Sequence, residues 1–456
     1  MAGIGFELRK LIRKDTLLSL LKAYAFAGLI SSGPWVLSIL GMLLIGFLAV
    51  STRGSDLAVV QFQVTVTNII GLSLVLTGGF QLAFTRFVAD RLFEKKADIV
   101  FGNYLAVLLV VTAMGILLIV PAAFLFFQDT SLLYKLLLLG CFVTVSCIWI
   151  STVFLSGLKE YVAIVGLYGL GYAVATIAAA LLKGGGLEGL LTGFLIGQVV
   201  LLVGMHCLIA RNFNIASKVS FLAFDKKLRY PTLFWIGVLY NLGAWIDKVI
   251  FWYWPSTSTP IIGILRSSVV YDLPVFLAYL SIIPGMAIFL VRIETDFVEF
   301  YDGFYNAVRE GGSLETIEKH RNSMVETIRT GLLEILKIQT IAILMFVVAG
   351  AAVLRFIGIS ELYVPLLTIQ SVAAGLQVLF LSILTVYFYL DERRTVLMLC
   401  ILFVLSNASL TFISLRLGPA YYGYGFAISL LISVVAGVKA LEKSMAELEY
   451  TTFMRR

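Results

Sequence analysis

Long apolar runs separated by short polar breaks set the pattern of this chain. Two of them, "LAVLLVVTAMGILLIVPAAFLFF" (105–127) and "IQTIAILMFVVAGAAVL" (338–354), match or approach the length a helix needs to cross ~30 Å of hydrocarbon. Reading each run in turn predicts spans near 23–50, 57–85, 100–127, 132–156, 161–182, 187–210, 231–254, 261–291, 334–354, 361–390, 395–415 and 420–440. The expectation is an all-α polytopic membrane protein with about 12 transmembrane helices. Span two is the most polar of these, carrying Gln61, Gln63, Asn68 and Gln81.

Outside the spans, two segments stand out. Residues 3–22, "GIGFELRKLIRKDTLLSLLK", alternate apolar and basic positions at helical spacing. Phe6, Leu8, Leu11, Ile12 and Leu18 can face lipid while Arg9, Arg13 and Lys14 face phosphates, which predicts a cytoplasmic interfacial amphipathic helix over 1–22. The apolar segment after Lys22 is too long for a signal peptide and lacks a small-residue cleavage site, so it reads as the first span. The second segment, 292–333, carries Glu294, Asp296, Glu299, Asp302, Glu310, Glu315, Glu318 and Glu326. "GGS" at 311–313 breaks it, and Ser313 is placed to cap a helix that runs on into span nine. A connection of this length is a solvated linker or a partner platform, and both readings fit.

Composition agrees with the pattern. With 60% hydrophobic and 13% charged residues and a mean hydropathy of +0.99, the chain lies outside soluble globular proteins. Lysines and arginines are unevenly shared between the two sides. With the N-terminus cytoplasmic, that side collects Arg9, Lys10, Arg13, Lys14, Arg86, Arg91, Lys95, Lys96, Lys226, Arg229, Arg393 and the basic residues of the 441–456 tail, among others. The opposite side keeps Arg53, Lys183, Arg355 and Arg416, with Lys135 close by. This asymmetry predicts both termini cytoplasmic, and it accounts for the net charge of +7 without nucleic-acid binding.

Little in the sequence suggests enzyme chemistry. Cys141, Cys147, Cys207 and Cys400 lie in apolar segments without metal-ligand spacing, and His206 and His320 are far apart. There is no Walker A motif, no dinucleotide glycine fingerprint, and no carboxylate pattern of a processive glycosyltransferase. A protein that is not an enzyme and uses no cofactor or metal is expected.

Internal symmetry and intramembrane polarity point to transport instead. "SSGPWVLSI" (31–39) and "NLGAWIDKV" (241–249) place Gly33 and Trp35, and Gly243 and Trp245, at similar depths. This spacing suggests two pseudo-symmetric six-helix lobes, 23–210 and 231–440, joined by a cytoplasmic linker at 211–230. Gly33, Pro34, Pro274 and Pro284 are candidate hinges, because proline removes a helical hydrogen bond. Gly189, Gly193 and Gly197 in span six form a repeated small-residue pattern for close helix packing.

Charge inside a span is the sharpest clue to function. Asp247 and Lys248 are sequence neighbours in span seven; their side chains leave the helix about 100° apart, so they are not expected to neutralise each other. Counting ~1.5 Å per residue from Trp254 puts Asp247 roughly 10 Å inside the membrane, with Arg266 of span eight at a comparable depth. An Asp247–Arg266 ion pair follows, leaving Lys248 and Asp272 for other partners or a water-filled cavity. The candidate substrate path is Trp35, Asn241, Trp245, Asp247, Lys248, Arg266, Tyr271 and Asp272. Aromatic and amide groups suit sugar stacking and hydroxyl bonding, while a structural ion pair and an interfacial aromatic belt explain the same residues more simply.

The opening "MAGIGFELRKLIRKD", the following "AYAFAGLISSGPWVLSILG" and the later "YNLGAWIDK" resemble the PelG family, inner-membrane transporters of bacterial Pel exopolysaccharide systems. Its wider group is the polysaccharide-transporter branch of the multidrug/oligosaccharidyl-lipid/polysaccharide (MOP) superfamily. The resemblance implies a MATE-like pair of six-helix lobes around a central cavity and export of an N-acetylhexosamine-rich biofilm polymer. It further implies a cytosolic glycosyltransferase, PelF, and the membrane proteins PelD and PelE as partners, with PelD bringing cyclic-di-GMP control. A lipid-linked oligosaccharide flippase, an ion-coupled efflux pump of the same fold, and a membrane scaffold for the glycosyltransferase are the competing expectations.

Overall fold

The computed structural model describes residues 17–50, 56–158, 160–213, 218–226, 228–357 and 360–454. The interfacial helix expected over 1–22 lies outside these residues except for its last turns. Among the described residues the chain is almost entirely helical, and ten helices are long and apolar enough to cross a membrane. Counting the proline-bent first helix raises this to 11. The stretch Tyr161–Asn212 enters the count once, although a short 3₁₀ turn at Lys183–Gly185 divides it into two helices. The expected all-α polytopic fold is therefore found.

Contacts group the chain into two compact units. One comprises Pro34–Trp245 and Phe251–Val269; the other comprises Met1–Gly33, Ile246–Ile250 and Val270–Arg456. The chain thus changes unit inside helices, at Gly33/Pro34, Trp245/Ile246 and Ile250/Phe251.

The first unit contains the later part of α1 (Leu17–Val50), then α2 (Asp56–Phe93), α3 (Val100–Phe126), α4 (Leu132–Gly157), α5 (Tyr161–Leu182), α6 (Gly186–Asn212) and most of α7 (Pro231–Tyr253). Its core is built from Phe62, Tyr104, Phe142, Phe154, Tyr168 and Phe194, all buried. The small residues of α6 do what their spacing predicts. A Cβ on Gly193 would stand 2.3 Å from the Ala179 backbone nitrogen, and one on Gly197 would stand 2.4 Å from Ala175 Cβ. Only glycine lets α5 and α6 approach this closely.

Helix α2 crosses the unit despite its many amides and hydroxyls because these groups find partners. Thr77 Oγ1 donates to the Ser73 carbonyl at 2.7 Å and Gln81 Nε2 donates to Thr77 Oγ1 at 2.9 Å. Trp149 Nε1 donates to Ser73 Oγ at 2.9 Å, so α4 closes over the same polar strip. Satisfied in this way, the groups escape the cost of burial without a hydrogen bond.

The chain from α6 to α7 is fastened to α3. The Ser220 amide donates to the Gly102 carbonyl at 3.1 Å, and the Ala223 amide donates to Asn103 Oδ1 at 2.8 Å. At the other end of α7 the predicted start of span eight is corrected. Residues Thr259–Ile262 and Leu265–Ser267 form an antiparallel hairpin, β1 and β2, pairing Thr259 with Ser267 and Pro260 with Arg266. Gly263 turns the hairpin with a φ of +53°, a conformation that disfavours side chains. Four large aliphatics in this short stretch, Ile261, Ile262, Ile264 and Leu265, made it read as membrane helix.

The second unit holds the start of α1, the Ile246–Ile250 turn of α7, and everything after Val269. Span eight is broken here into α8 (Val269–Tyr279) and α9 (Ile282–Val291), followed by a π-helical segment, Arg292–Phe297, and α10 (Val298–Glu310). Of the hinge candidates in span eight, Pro274 lies inside α8, where it has no N–H to donate to the helical ladder. Pro284 instead sits in the first turn of α9, where proline costs no helical bond, and the break precedes it at Leu280–Ser281.

The acidic segment is more ordered than a solvated connector. Helix α10 ends at Gly311, whose φ of +72° makes the left-handed cap. Ser313 then caps α11 (Leu314–Ile357), its Oγ accepting from the Thr316 amide at 3.3 Å. Phe304 and Val308 of α10 and Ile317, Met324 and Ile328 of α11 are buried, so the segment folds as a packed helical hairpin. Glu294, counted in the sequence among solvated acids, is buried in the π-helical segment and accepts from Tyr389 Oη at 2.7 Å. Arg292 grips α11, with Nε and Nη2 donating to Glu334 at 2.7 and 2.8 Å and Nη1 donating to Asp296 at 2.8 Å. Helices α12 (Val364–Tyr389), α13 (Arg393–Leu417), α14 (Tyr424–Ala446) and α15 (Leu448–Met454) complete the unit.

Candidate functional site

Within the second unit, the short turn contributed by α7 presents Asp247 and Lys248 to α8, α12 and α14. Asp247 is completely buried and Lys248 is 6% exposed. The expectation that these neighbours cannot neutralise each other is wrong. Lys248 Nζ lies 3.2 Å from Asp247 Oδ1 and 3.1 Å from Oδ2. The Cβ vectors diverge as helix geometry requires, but the four-carbon lysine stem is long enough to fold its ammonium back onto the adjacent carboxylate.

The expected Asp247–Arg266 pair is replaced as well. Arg266 lies in β2, where its Nε donates to the Trp252 carbonyl at 3.1 Å and to Ser258 Oγ at 3.0 Å. It therefore ties the hairpin to the end of α7, a consequence of the segment being a hairpin and not a helix. The remaining acceptor need of Asp247 is met by Tyr271, whose Oη donates to Oδ2 at 2.6 Å. Gln370 Nε2 in turn donates to Tyr271 Oη at 2.8 Å, which fixes the direction of the tyrosine proton toward Asp247.

A second tyrosine–glutamine pair lies alongside, with Tyr279 Oη donating to Gln377 Oε1 at 2.8 Å. The Lys248 ammonium stands 4.6 Å from the centre of the Phe426 ring and 5.6 Å from that of Tyr279. The ammonium is thus enclosed by one carboxylate and two aromatic faces. Gln370, Gln377 and Phe426 were not anticipated. A signal for the first two exists: they are seven residues apart in an otherwise apolar helix, which puts both amides on one face.

The other candidates are distributed more widely. Asp272 occupies the first turn of α8, where a negative charge favours the helix dipole. Trp245 is buried in the core of the first unit, its ring 6.1 Å from that of Trp252 and pressed against Gly71. Asn241 Nδ2 donates to the Gly237 carbonyl at 2.9 Å, beside a tight crossing of α2 and α7. Gly33 and Pro34 mark the unit boundary within α1, while the side chain of Trp35 lies outside the described residues. No group of three or more potential metal ligands occurs among the described residues.

Many apolar helices, with one of the predicted spans broken at mid-course, define a polytopic membrane protein. Solved structures share the architecture. A MOP superfamily transporter from Pyrococcus furiosus aligns with a TM-score of 0.65 and 14% identity over 94% of this chain and 96% of that one. An outward-facing MATE family transporter aligns with a TM-score of 0.68 and 14% identity over 94% and 97%. An inward-facing one aligns with a TM-score of 0.60 and 14% identity over 91% and 96%. Identity this low carries the fold alone. The profile of the PelG family, described as "Putative exopolysaccharide Exporter (EPS-E)", matches residues 1–453, and the chain belongs to that family. No curated protein matches the sequence.

Proposed function

We propose that this protein exports a Pel-type, N-acetylhexosamine-rich polysaccharide across the bacterial inner membrane, with both termini on the cytoplasmic side. The observation that carries this reading is the family match along residues 1–453, joined to a MOP transporter fold. The Asp247–Lys248 pair is neutralised within its own unit, which fits an uncharged sugar polymer as cargo. Export proceeds in step with polymer synthesis by a cytosolic glycosyltransferase, because a long threaded chain prevents both gates of a simple alternating-access cycle from closing in turn. PelF, PelD and PelE are the partners this reading names. Vesicles containing the protein and its glycosyltransferase test it directly. Export is expected to follow polymer synthesis with or without a proton gradient; export that needs the gradient at constant synthesis would overturn the coupling.

The hairpin of α10 and α11 is the proposed platform for the synthase. Its buried face is apolar, while Glu310, Glu315, Glu318 and Glu326 are exposed. Reversing Glu315, Glu318 and Glu326 to lysine leaves that buried face untouched. Loss of glycosyltransferase co-purification with the membrane protein is the expected result, and unchanged co-purification rules the platform out.

A further inference from the structure

We propose that the end of the first unit where α2 passes into α3 is a docking surface for anionic phospholipid, with Lys95 and Lys218 on the headgroup phosphate and Phe93 and Phe221 in the leaflet. The proposal depends on the chain spanning a membrane and not on what it carries. It starts from the backbone. Helix α2 closes with the Lys95 amide donating to the Leu92 carbonyl at 3.0 Å and the Lys96 amide donating to the Arg91 carbonyl at 2.9 Å. A cap of this kind puts one residue in the left-handed region, and here that residue is Lys95, at a φ of +60°. Glycine takes this conformation at no steric cost, whereas a lysine pays for it and needs a use for its side chain. The protein itself supplies none among the described residues. Lys96 meets Glu94 at 3.0 Å and Arg91 meets it at 2.7 Å, but Lys95 is exposed and enters no ion pair there.

A second segment lies across the same end. The bonds from Ser220 to Gly102 and from Ala223 to Asn103 strap residues 218–223 over the first turn of α3. The strap leaves apolar side chains outward, with Val219 45% and Phe221 55% exposed, and Phe93 at the end of α2 is 89% exposed. At the ends of two membrane helices these rings stand at the level of the interface, within a lysine stem of the phosphates. Charge complements them. Lys95, Lys96, Lys218, Lys226 and Arg229 are exposed here against Glu94, Asp98 and Asp225, an excess of positive charge. Around the α3–α4 and α5–α6 turns at the other end, Lys135 and Lys183 are balanced by Asp129 and Glu188. The exposed rings commit the occupant to a lipid and not to free phosphate, and the excess charge selects an anionic one.

The test uses the full chain in nanodiscs with Cys207→Ser, which removes the exposed one of the four cysteines. A single fluorophore is placed at Ala97→Cys, beside Lys95 and Lys96, or at Gly184→Cys in the α5–α6 turn; both positions are exposed. Phosphatidylglycerol or phosphatidylcholine carrying a nitroxide on the acyl chain is then added as quencher at equal mole fraction. At position 97 the anionic lipid is expected to associate about fivefold more strongly than the zwitterionic one, and at position 184 equally. Lys95→Gly/Lys218→Gln should equalise the two lipids at position 97, and Lys95→Gly removes the charge while easing the backbone. Equal quenching at position 97 in the parent, a preference that survives the double variant, or the same preference at position 184 overturns the proposal. Quenching by neither lipid puts the surface in water and overturns it too. No polymer enters this measurement, so vesicles that fail to export would overturn the function proposed above and leave the lipid result standing.

Discussion

Replacing Lys248 with methionine alone should destroy most of the folded protein, whereas adding Asp247→Asn to it should restore much of what was lost. The single change leaves the Asp247 carboxylate fully buried, with the Tyr271 hydroxyl as its remaining hydrogen-bond donor among the described residues. Breaking a buried ion pair from one side costs about 3–5 kcal/mol, because the remaining charge stays out of water without compensation. The ammonium contacts with Phe426 and Tyr279 go as well, at about 2 kcal/mol for a desolvated pair. In the double variant no charge is left to strand, and an asparagine can still accept from Tyr271. Replacing a buried pair by uncharged groups is often neutral. Thermal unfolding of the four members of this cycle, in detergent and followed by size-exclusion fluorescence, measures the coupling directly. If the double variant is no more stable than Lys248→Met, the pair is not the unit described here. If it is stable but export is lost, the pair serves transport as well as folding.

Gly237→Val is the second substitution expected to be severe. Helices α2 and α7 meet backbone to backbone at this point: a Cβ on Gly237 would lie 2.0 Å from the Gly78 carbonyl oxygen. No side-chain rotation can relieve that overlap, so the helices must part. The cost should reach or exceed the upper end of core overpacking, about 3 kcal/mol. Gly169 in α5 is the control, because a Cβ there meets nothing within 4 Å. Gly169→Ala should stabilise by about 0.5–1 kcal/mol through helix propensity alone. The same unfolding assay reads both, and a Gly237→Val protein as stable as the parent would show that this crossing is not closed.

How much of this was written in the sequence depends on the range of the interaction. Apolar runs announced the helices, and the glycines of span six and the Ser313 cap were found where their spacing put them. These are local signals, set by helix geometry and a few neighbouring residues. The hairpin at 259–267 was hidden because a short apolar stretch has no period to distinguish strand from membrane helix. The surroundings of the Asp247–Lys248 pair were hidden for two different reasons. Gln370 and Phe426 come from helices more than a hundred residues away, as the numbering shows, and single-sequence reading has no access to such contacts. Lys248 is next door, but helical direction alone does not say where its charge ends up. Direction governs Cβ; a long stem decides the rest.

Helix α11 has a mechanical consequence. At 44 residues without an internal break it is about 66 Å long, more than twice the ~30 Å of hydrocarbon it has to cross. The half that bears the exposed acids and the half that faces the membrane are therefore one stiff rod, clamped part-way along by the Arg292–Glu334 fork. A tilt of about 10° at the fork moves a tip ~30 Å away by roughly 5 Å, about one helical turn. Such a lever would deliver a push from whatever docks outside the bilayer to the bundle within it in a single piece.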